Sequence, residues 1–247
     1  MPVQHIGHQL IVLDSVDSSN NYAMALTQQR LAGHGDTFFA LEQKAGKGQM
    51  GRRWISRPNE NIIISIVLET TALAPDMVFY LSMAMALGTY DWFAEMAGEE
   101  SSLKWPNDIY WRDRKAGGIL IENNWAGPHW QFAIVGIGIN VNQVDFEEGT
   151  KKPVSLRQIT GKSFDLLVEV RKLCGKLEYR WNQLVAGKKK ELLESYNQVL
   201  FSRGMPVRLR KDNVVFETTI RGVNENGELL TSDTLDRSFR VGEVEWV

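Results

Sequence analysis

The chain has 247 residues, 43% hydrophobic and 23% charged, with 28 Lys and Arg against 30 Asp and Glu. That length can bury a core without metals or disulfides, and a net charge of -2 provides no global field for nucleic acid or an anionic membrane. Cys174 is the single cysteine, which excludes an intrachain disulfide; no apolar run approaches the roughly 18 residues of a membrane span, and His5, His8, His34 and His129 stand at no metal-ligand spacing. No signal-peptide pattern opens the chain, so a reducing, cytoplasmic setting is expected.

Residues 9–14 (QLIVLD) read as a strand. The cluster Asp17-Ser18-Ser19-Asn20 supplies helix N-cap residues, and Ala23, Met24, Leu26 and Leu31 follow at helical spacing. Gly33-His34-Gly35-Asp36 breaks that helix, and 37–41 (TFFAL) is a strand. Residues 44–59 are rich in glycine and cations without an apolar period, which predicts a long loop. Residues 61–68 (NIIISIVL) form a buried strand, and 76–97 a largely buried helix. A short strand at 103–105 and a hairpin of 109–111 with 118–122 come next, then a buried strand at 131–140. Helices are expected at 163–185 and 188–199.

After Leu200 the pattern shifts to short alternating strands at 207–209, 214–219, 229–231 and 239–241, with Asn226-Gly227 as a turn signal. A boundary at Ser202-Arg203-Gly204 separates a small β-barrel from the rest. The expected class is α+β: a mixed sheet packed with helices over residues 1–200, plus a small β-barrel over 201–247.

Four segments carry chemistry. Residues 46–54 (GKGQMGRRW) combine three glycines with three cations. Glycines admit backbone N–H groups close to a ligand and the cations supply charge, the pairing that a triphosphate or an adenylate needs. A flexible surface loop has the same composition. No Gly-Lys-Ser/Thr occurs there, so it is not a Walker A loop. In Lys104-Trp105-Pro106-Asn107-Asp108, Pro106 cannot donate to a ladder, so the strand ends or bulges and its polar side chains turn toward a site. In 115–122 (KAGGILIE), a cation precedes two glycines beside a buried strand; a β-turn leading into a glycine-softened strand reads the same way. In 136–140 (GIGIN), alternate glycines leave one strand face bare, a slot for a flat ligand, and Asn140 can read a base edge. No third glycine follows, so a dinucleotide fold is rejected.

The order Asp17–Asn20, 46–54, KWPND, KAGGILIE, GIGIN, then Ser155-Leu156 with Thr160-Gly161, resembles that of biotin–protein ligases from about Leu13 to the C-terminus. KWPND with K-x-GGILIE is the specific part. The resemblance implies a class II synthetase-like core with an SH3-like C-terminal β-barrel and an AMP-forming activation of biotin, with residues 104–118 at the centre of the site. It assigns Ser18, Ser19, Asn20, Gln43, Gly46, Lys47, Lys115, Gly118, Gly136 and Gly138 to biotin. It assigns Lys47, Arg52, Trp54, Lys104, Asn107 and Asn140 to ATP, and Asp108 to Mg²⁺. Lys115, Lys104 and Arg52 become the catalytic cations, with Lys115 bridging the carboxylate and the α-phosphate. The implied partner is the biotin carboxyl carrier domain of a carboxylase; a homodimer is compatible with the family.

Two positions depart from the family's Gly-Arg-Gly-Arg-x-Gly-Arg loop: Lys47 and Gln49 stand where arginines are usual. Lysine is a point charge without the bidentate fork, and Gln49 removes a charge. Ser19 replaces the commoner threonine and keeps the hydroxyl. The alternative of the same architecture is a lipoate or octanoate ligase or transferase, which lacks KWPND. A DNA-binding repressor is disfavoured by the acidic charge and the few residues ahead of the first motif.

Overall fold

The computed structural model describes residues 4–147 and 152–247. Seven strands form one sheet: β1 (Leu10–Leu13), β2 (Thr37–Ala40), β3 (Asn61–Glu69), β4 (Ser101–Lys104), β5 (Asp108–Trp111), β6 (Arg114–Ala126) and β7 (His129–Asn140). Their order is β1-β2-β3-β7-β6-β5-β4. The pair β1–β2 is parallel and the rest antiparallel, which makes the sheet mixed. The β-branched strand β3 lies near the centre, where both its faces are covered.

Strand alternation divides that sheet into two chemically different faces. Ile62, Ile64, Ile66 and Leu68 of β3 share the main core with Ala133, Val135, Ile137 and Ile139 of β7. Helices α2 (Val78–Ala97), α4 (Leu166–Val185) and α5 (Lys189–Gln198) cover this side. The close crossing of α2 and α4 requires Gly88, since a Cβ there would sit 3.0 Å from the Leu177 backbone. The opposite face carries Val67, Phe132 and Ile134, which pack with Phe38 and with Ala23 of α1 (Ser19–Gln28). Helix α1 covers only part of it. The remainder, where β7 carries Gly136, Gly138 and Asn140, opens into a cleft.

The second sheet is antiparallel: β8 (Pro206–Lys211), β9 (Val214–Val223), β10 (Leu229–Ser232), β11 (Asp236–Phe239) and β12 (Glu245–Trp246), in the order β11-β10-β9-β8-β12. Leu209, Ile220, Val223, Leu229 and Phe239 join the main core, so the curled sheet is packed down and not tethered. Trp105 Nε1 donates to the Gly227 carbonyl at 3.0 Å, and Asn197 bonds both backbone groups of Val223. The expected class, a mixed α+β core with a small barrel-like C-terminal sheet, is the one observed.

Several elements differ from expectation. Leu31 lies outside α1 and is exposed, because the helix stops at Gln28. Strand β6 starts at Arg114 and runs to Ala126, since pairing with β7 extends it well beyond its apolar centre. The short α3 (Leu156–Thr160) has no apolar period but is capped at both ends, by the Ser155–Gln158 capping box and by Gly161 at φ 74°. The last strands fall at 236–239 and 245–246, and Val241 is exposed between them. Among the described residues no helix is long and apolar enough to cross a membrane.

Candidate active site

The cleft encloses about 1510 Å³ and is lined from both sheets and the loop between β2 and β3. That exceeds a pocket for one small ligand, which takes roughly 300–1,000 Å³. Every residue expected at the site lines it except Gly46.

One end is built on the start of α1. Ser18 takes the N-cap position but makes no side-chain cap bond. The polar cluster bonds across the fold instead. Gln43 Oε1 accepts from Ser19 N at 2.7 Å and from Ser19 Oγ at 3.0 Å. Ser65 Oγ lies 2.7 Å from Ser19 Oγ and 2.6 Å from Asn20 Oδ1. Asn20 Nδ2 donates to Glu122 Oε2 at 2.8 Å. In this chain, from Gln43 through Ser19, Ser65 and Asn20 to Glu122, the middle three residues are buried and the two ends half-buried, which fixes the orientation of the Asn20 amide. Ser65 and Glu122 were not singled out by sequence. The signal for Ser65 was present: it is the one hydroxyl in NIIISIVL, and a polar residue in a fully buried strand needs a partner.

The floor is β7. A Cβ on Gly136 would lie 2.3 Å from Asn20 Oδ1, and one on Gly138 2.6 Å from Trp54 Cε2. The glycine face is therefore not bare, as expected, but covered by the protein's own Asn20 amide and Trp54 indole. Trp54 Nε1 is buried without a hydrogen-bond partner among the described residues. Asn140 Nδ2 donates to the Val154 carbonyl at 3.2 Å.

Residues 46–54 are a tight hairpin and not an irregular loop. Lys47 bridges Arg53, Gly48 N donates to Arg52 O at 2.7 Å, and Trp54 N donates to Gly46 O at 3.0 Å. Met50 (φ 54°) and Gly51 (φ 74°) turn the tip. Gly46 is buried beneath it because any Cβ would come 2.4 Å from the Trp54 carbonyl oxygen. Lys47 Nζ lies 3.5 Å from Glu122 Oε1, a loose and half-exposed pair, while Arg52 lines the cleft.

The far end is the β4–β5 turn. Asn107 Nδ2 donates to the Ile119 carbonyl and Ile119 N donates to Asn107 O, which ties the turn to β6. Tyr196 OH donates to the Pro106 carbonyl at 3.1 Å from below. Asp108 accepts from Lys115 Nζ at 2.6 Å. A β-bulge creates that pair. Ile109 pairs with Gly117 but Tyr110 pairs with Lys115, so Ala116 is the extra residue. Without it Lys115 and Gly118 would point to opposite faces; the bulge brings Lys115 onto the cleft side. Gly118 leaves the space, since a Cβ there would lie 3.2 Å from Asp108 Oδ1 and 3.3 Å from Lys115 Nζ. Burial, with Asp108 and Asp113 nearby, pushes the Tyr110 phenol up to about 12.

Taken as a fold, this is the architecture of biotin protein ligases. The structure of the Aquifex aeolicus biotin protein ligase in complex with biotin and ATP superimposes with a TM-score of 0.81 over 96% of this chain and 98% of that one, at 25% identity. The family model described as Biotin/lipoate A/B protein ligase family matches residues 12–140, the stretch that holds most of the cleft, and the chain belongs to that family. The bifunctional ligase/repressor BirA of Bacillus subtilis is 31% identical over 236 residues, covering 91% of this chain and 70% of the relative. The biotin–[acetyl-CoA-carboxylase] ligase of Paracoccus denitrificans is 36% identical over 162 residues, 62% of this chain and 65% of that protein.

Proposed function

We propose that the protein is an ATP-dependent, AMP-forming biotin–protein ligase that makes biotinyl-5'-AMP and passes the biotinyl group to a lysine of a biotin carboxyl carrier domain. One observation carries the reading. The Ser19–Asn20–Gln43 hydrogen-bond network, buried except at Gln43, and the Lys115–Asp108 pair stand at opposite ends of one cleft, joined by the glycine face of β7. The first end suits the cyclic urea of biotin, whose N–H and carbonyl groups need oriented acceptors and donors. The other end suits a carboxylate meeting a phosphate.

In the first half-reaction a biotin carboxylate oxygen attacks the α-phosphorus of ATP and pyrophosphate leaves. Two anions approach, so the barrier is largely electrostatic. Lys115 would sit between them, with Lys104, Arg52 and Lys47 on the phosphates. Trp54 and Asn140 would hold the adenine, with Ser18, Gly46 and Gly118 completing the acid's walls and Asn107 holding the turn. In the second, the carrier lysine's amine attacks the carbonyl carbon of the mixed anhydride and AMP leaves. The 46–54 hairpin would shield the anhydride from water. We read residues 1–200 as the catalytic unit and 201–247 as a second unit, and the setting as cytoplasmic, where ATP and the carrier occur.

Among the described residues no group of three or more His, Cys, Asp or Glu could cage a metal. Asp108 beside Lys115 in the cleft fits an Mg²⁺ ion carried on substrate phosphates, which takes few protein ligands. Asp108 would be its ligand here, and the ion would neutralise phosphate charge.

Native mass spectrometry of the chain with Mg-ATP and biotin, octanoate or lipoate in turn tests the reading. A noncovalent adduct of biotinyl-AMP mass is expected with biotin alone. An octanoyl- or lipoyl-AMP adduct in its place would move the chain to the lipoate branch, and no adduct with any acid would overturn the proposal.

A further inference from the structure

The ammonium of Lys104 sits among three aromatic rings. Its Nζ lies 4.6 Å from the Tyr110 ring centroid, 4.6 Å from that of Trp246 and 5.1 Å from that of Phe201. The rings also meet one another, Tyr110 with Phe201 at 5.3 Å and Phe201 with Trp246 at 5.8 Å. They come from β5, from the segment that leads out of α5, and from β12. All three line the same cleft as Lys104. Trp246 belongs to a strand of only two residues, paired with β8 through Glu245↔Arg210 and Trp246↔Leu209. Its indole Nε1 is buried with no hydrogen-bond partner among the described residues.

A ring face attracts a cation through its quadrupole, and three faces around one ammonium fix its direction. A lysine intended for phosphate gains from such a holder, because its long stem is fixed in direction. Lys104 is the last residue of β4, and loss of a ring returns rotamer freedom to its side chain.

We infer that Trp246 is a positioning residue for the adenylation step: with Tyr110 and Phe201 it cages the Lys104 ammonium and aims it at the ATP phosphates, so the C-terminal sheet completes the active site. The inference rests on the proposed role of Lys104 toward ATP. It makes the last strand a working part of the site. It also predicts that a change at the end of the chain acts on phosphate chemistry and not on biotin.

Two measurements on the full chain test it. The first is steady-state pyrophosphate release by Trp246→Ala and Trp246→Phe. Trp246→Ala is expected to lose about tenfold in kcat or kcat/KM for ATP, with KM for biotin unchanged, and Trp246→Phe to restore most of the loss. Wild-type values for Trp246→Ala would overturn the inference, as would equal losses in both variants accompanied by early melting. The second uses carbon-13 dimethylated lysines observed by NMR. Ring currents are expected to shift the Lys104 methyl signal upfield, its assignment given by loss in Lys104→Arg. In Trp246→Ala it moves back toward the free-lysine position; a signal unchanged by Trp246→Ala would overturn the cage whether or not that variant is active. If wild type shows no biotin-dependent pyrophosphate release, the ligase reading fails, and the NMR result still decides the cage.

Discussion

Replacing Lys115 with alanine separates the stability of the site from its chemistry. Lys115 Nζ lies 2.6 Å from Asp108 Oδ1, with 31% and 24% of the two side chains exposed. An ion pair that open to solvent contributes about 1 kcal/mol or less to folding. In a chain of this size such a loss lowers Tm by about 2–4 °C. The chemical effect is far larger. A single donor aimed at developing charge contributes about 3–4 kcal/mol, so its removal slows the step roughly 10²–10³-fold. The expected outcome is a chain that melts almost normally and releases pyrophosphate at well under a hundredth of the wild-type rate. Thermal melting by circular dichroism and a coupled pyrophosphate assay at saturating biotin and Mg-ATP measure both. Near-normal pyrophosphate release would refute the role given to Lys115. A drop of tens of degrees would show that the pair is structural, and the rate loss would then say nothing about chemistry.

Ser65→Ala leaves Asn20 Oδ1 without its hydroxyl donor and Ser19 Oγ with Gln43 Oε1 alone; about 1–3 kcal/mol of stability should be lost in urea melts, because a buried acceptor goes unpaired. Biotin affinity by calorimetry should fall about tenfold as the two side chains lose their fixed orientation; an unchanged Kd would detach Ser65 from the acid end. Gly46→Ala places a Cβ 2.4 Å from a backbone oxygen that cannot swing aside, whereas Gly48→Ala meets its nearest atom at 3.3 Å. KM for ATP should therefore rise much more in the first variant than in the second, and the reverse order would show that the hairpin geometry does not matter for the nucleotide. Burial pushes the Cys174 thiol from 9.0 up to about 11. The folded state favours the protonated thiol, so this stabilisation is fully present below pH 9 and is lost as pH rises through about 11. At about pH 8.5 iodoacetamide should label the urea-unfolded chain and spare the native one; equal labelling would refute the burial argument.

Much of the site was legible because its parts are local. KWPND, KAGGILIE and GIGIN each announce themselves by residue types that an ordinary strand or turn does not need: a proline ending a strand, paired glycines beside an apolar run, a cation ahead of them. The strands and long helices were legible for a similar reason, since period and β-branching reflect burial of one face or two. The C-terminal strands were the least legible, because they are short and half-exposed, and their bounds were set by pairing.

By itself, then, the sequence determined the class of fold, the order of the motifs and the residue types that could carry acid activation. Tertiary structure decided which of them meet. The bulge at Ala116 sets Lys115 on the same face as Gly118, and a one-residue difference in register would have turned it away. Packing put Trp54 over Gly138 and Asn20 over Gly136, so the glycines make room for the protein itself. Ser65 became the link between Ser19 and Asn20, and the second-to-last residue, Trp246, came to rest against Lys104, 142 positions earlier in the chain. Such contacts depend on sheet register and on the docking of the second sheet, and neither leaves a local periodic trace.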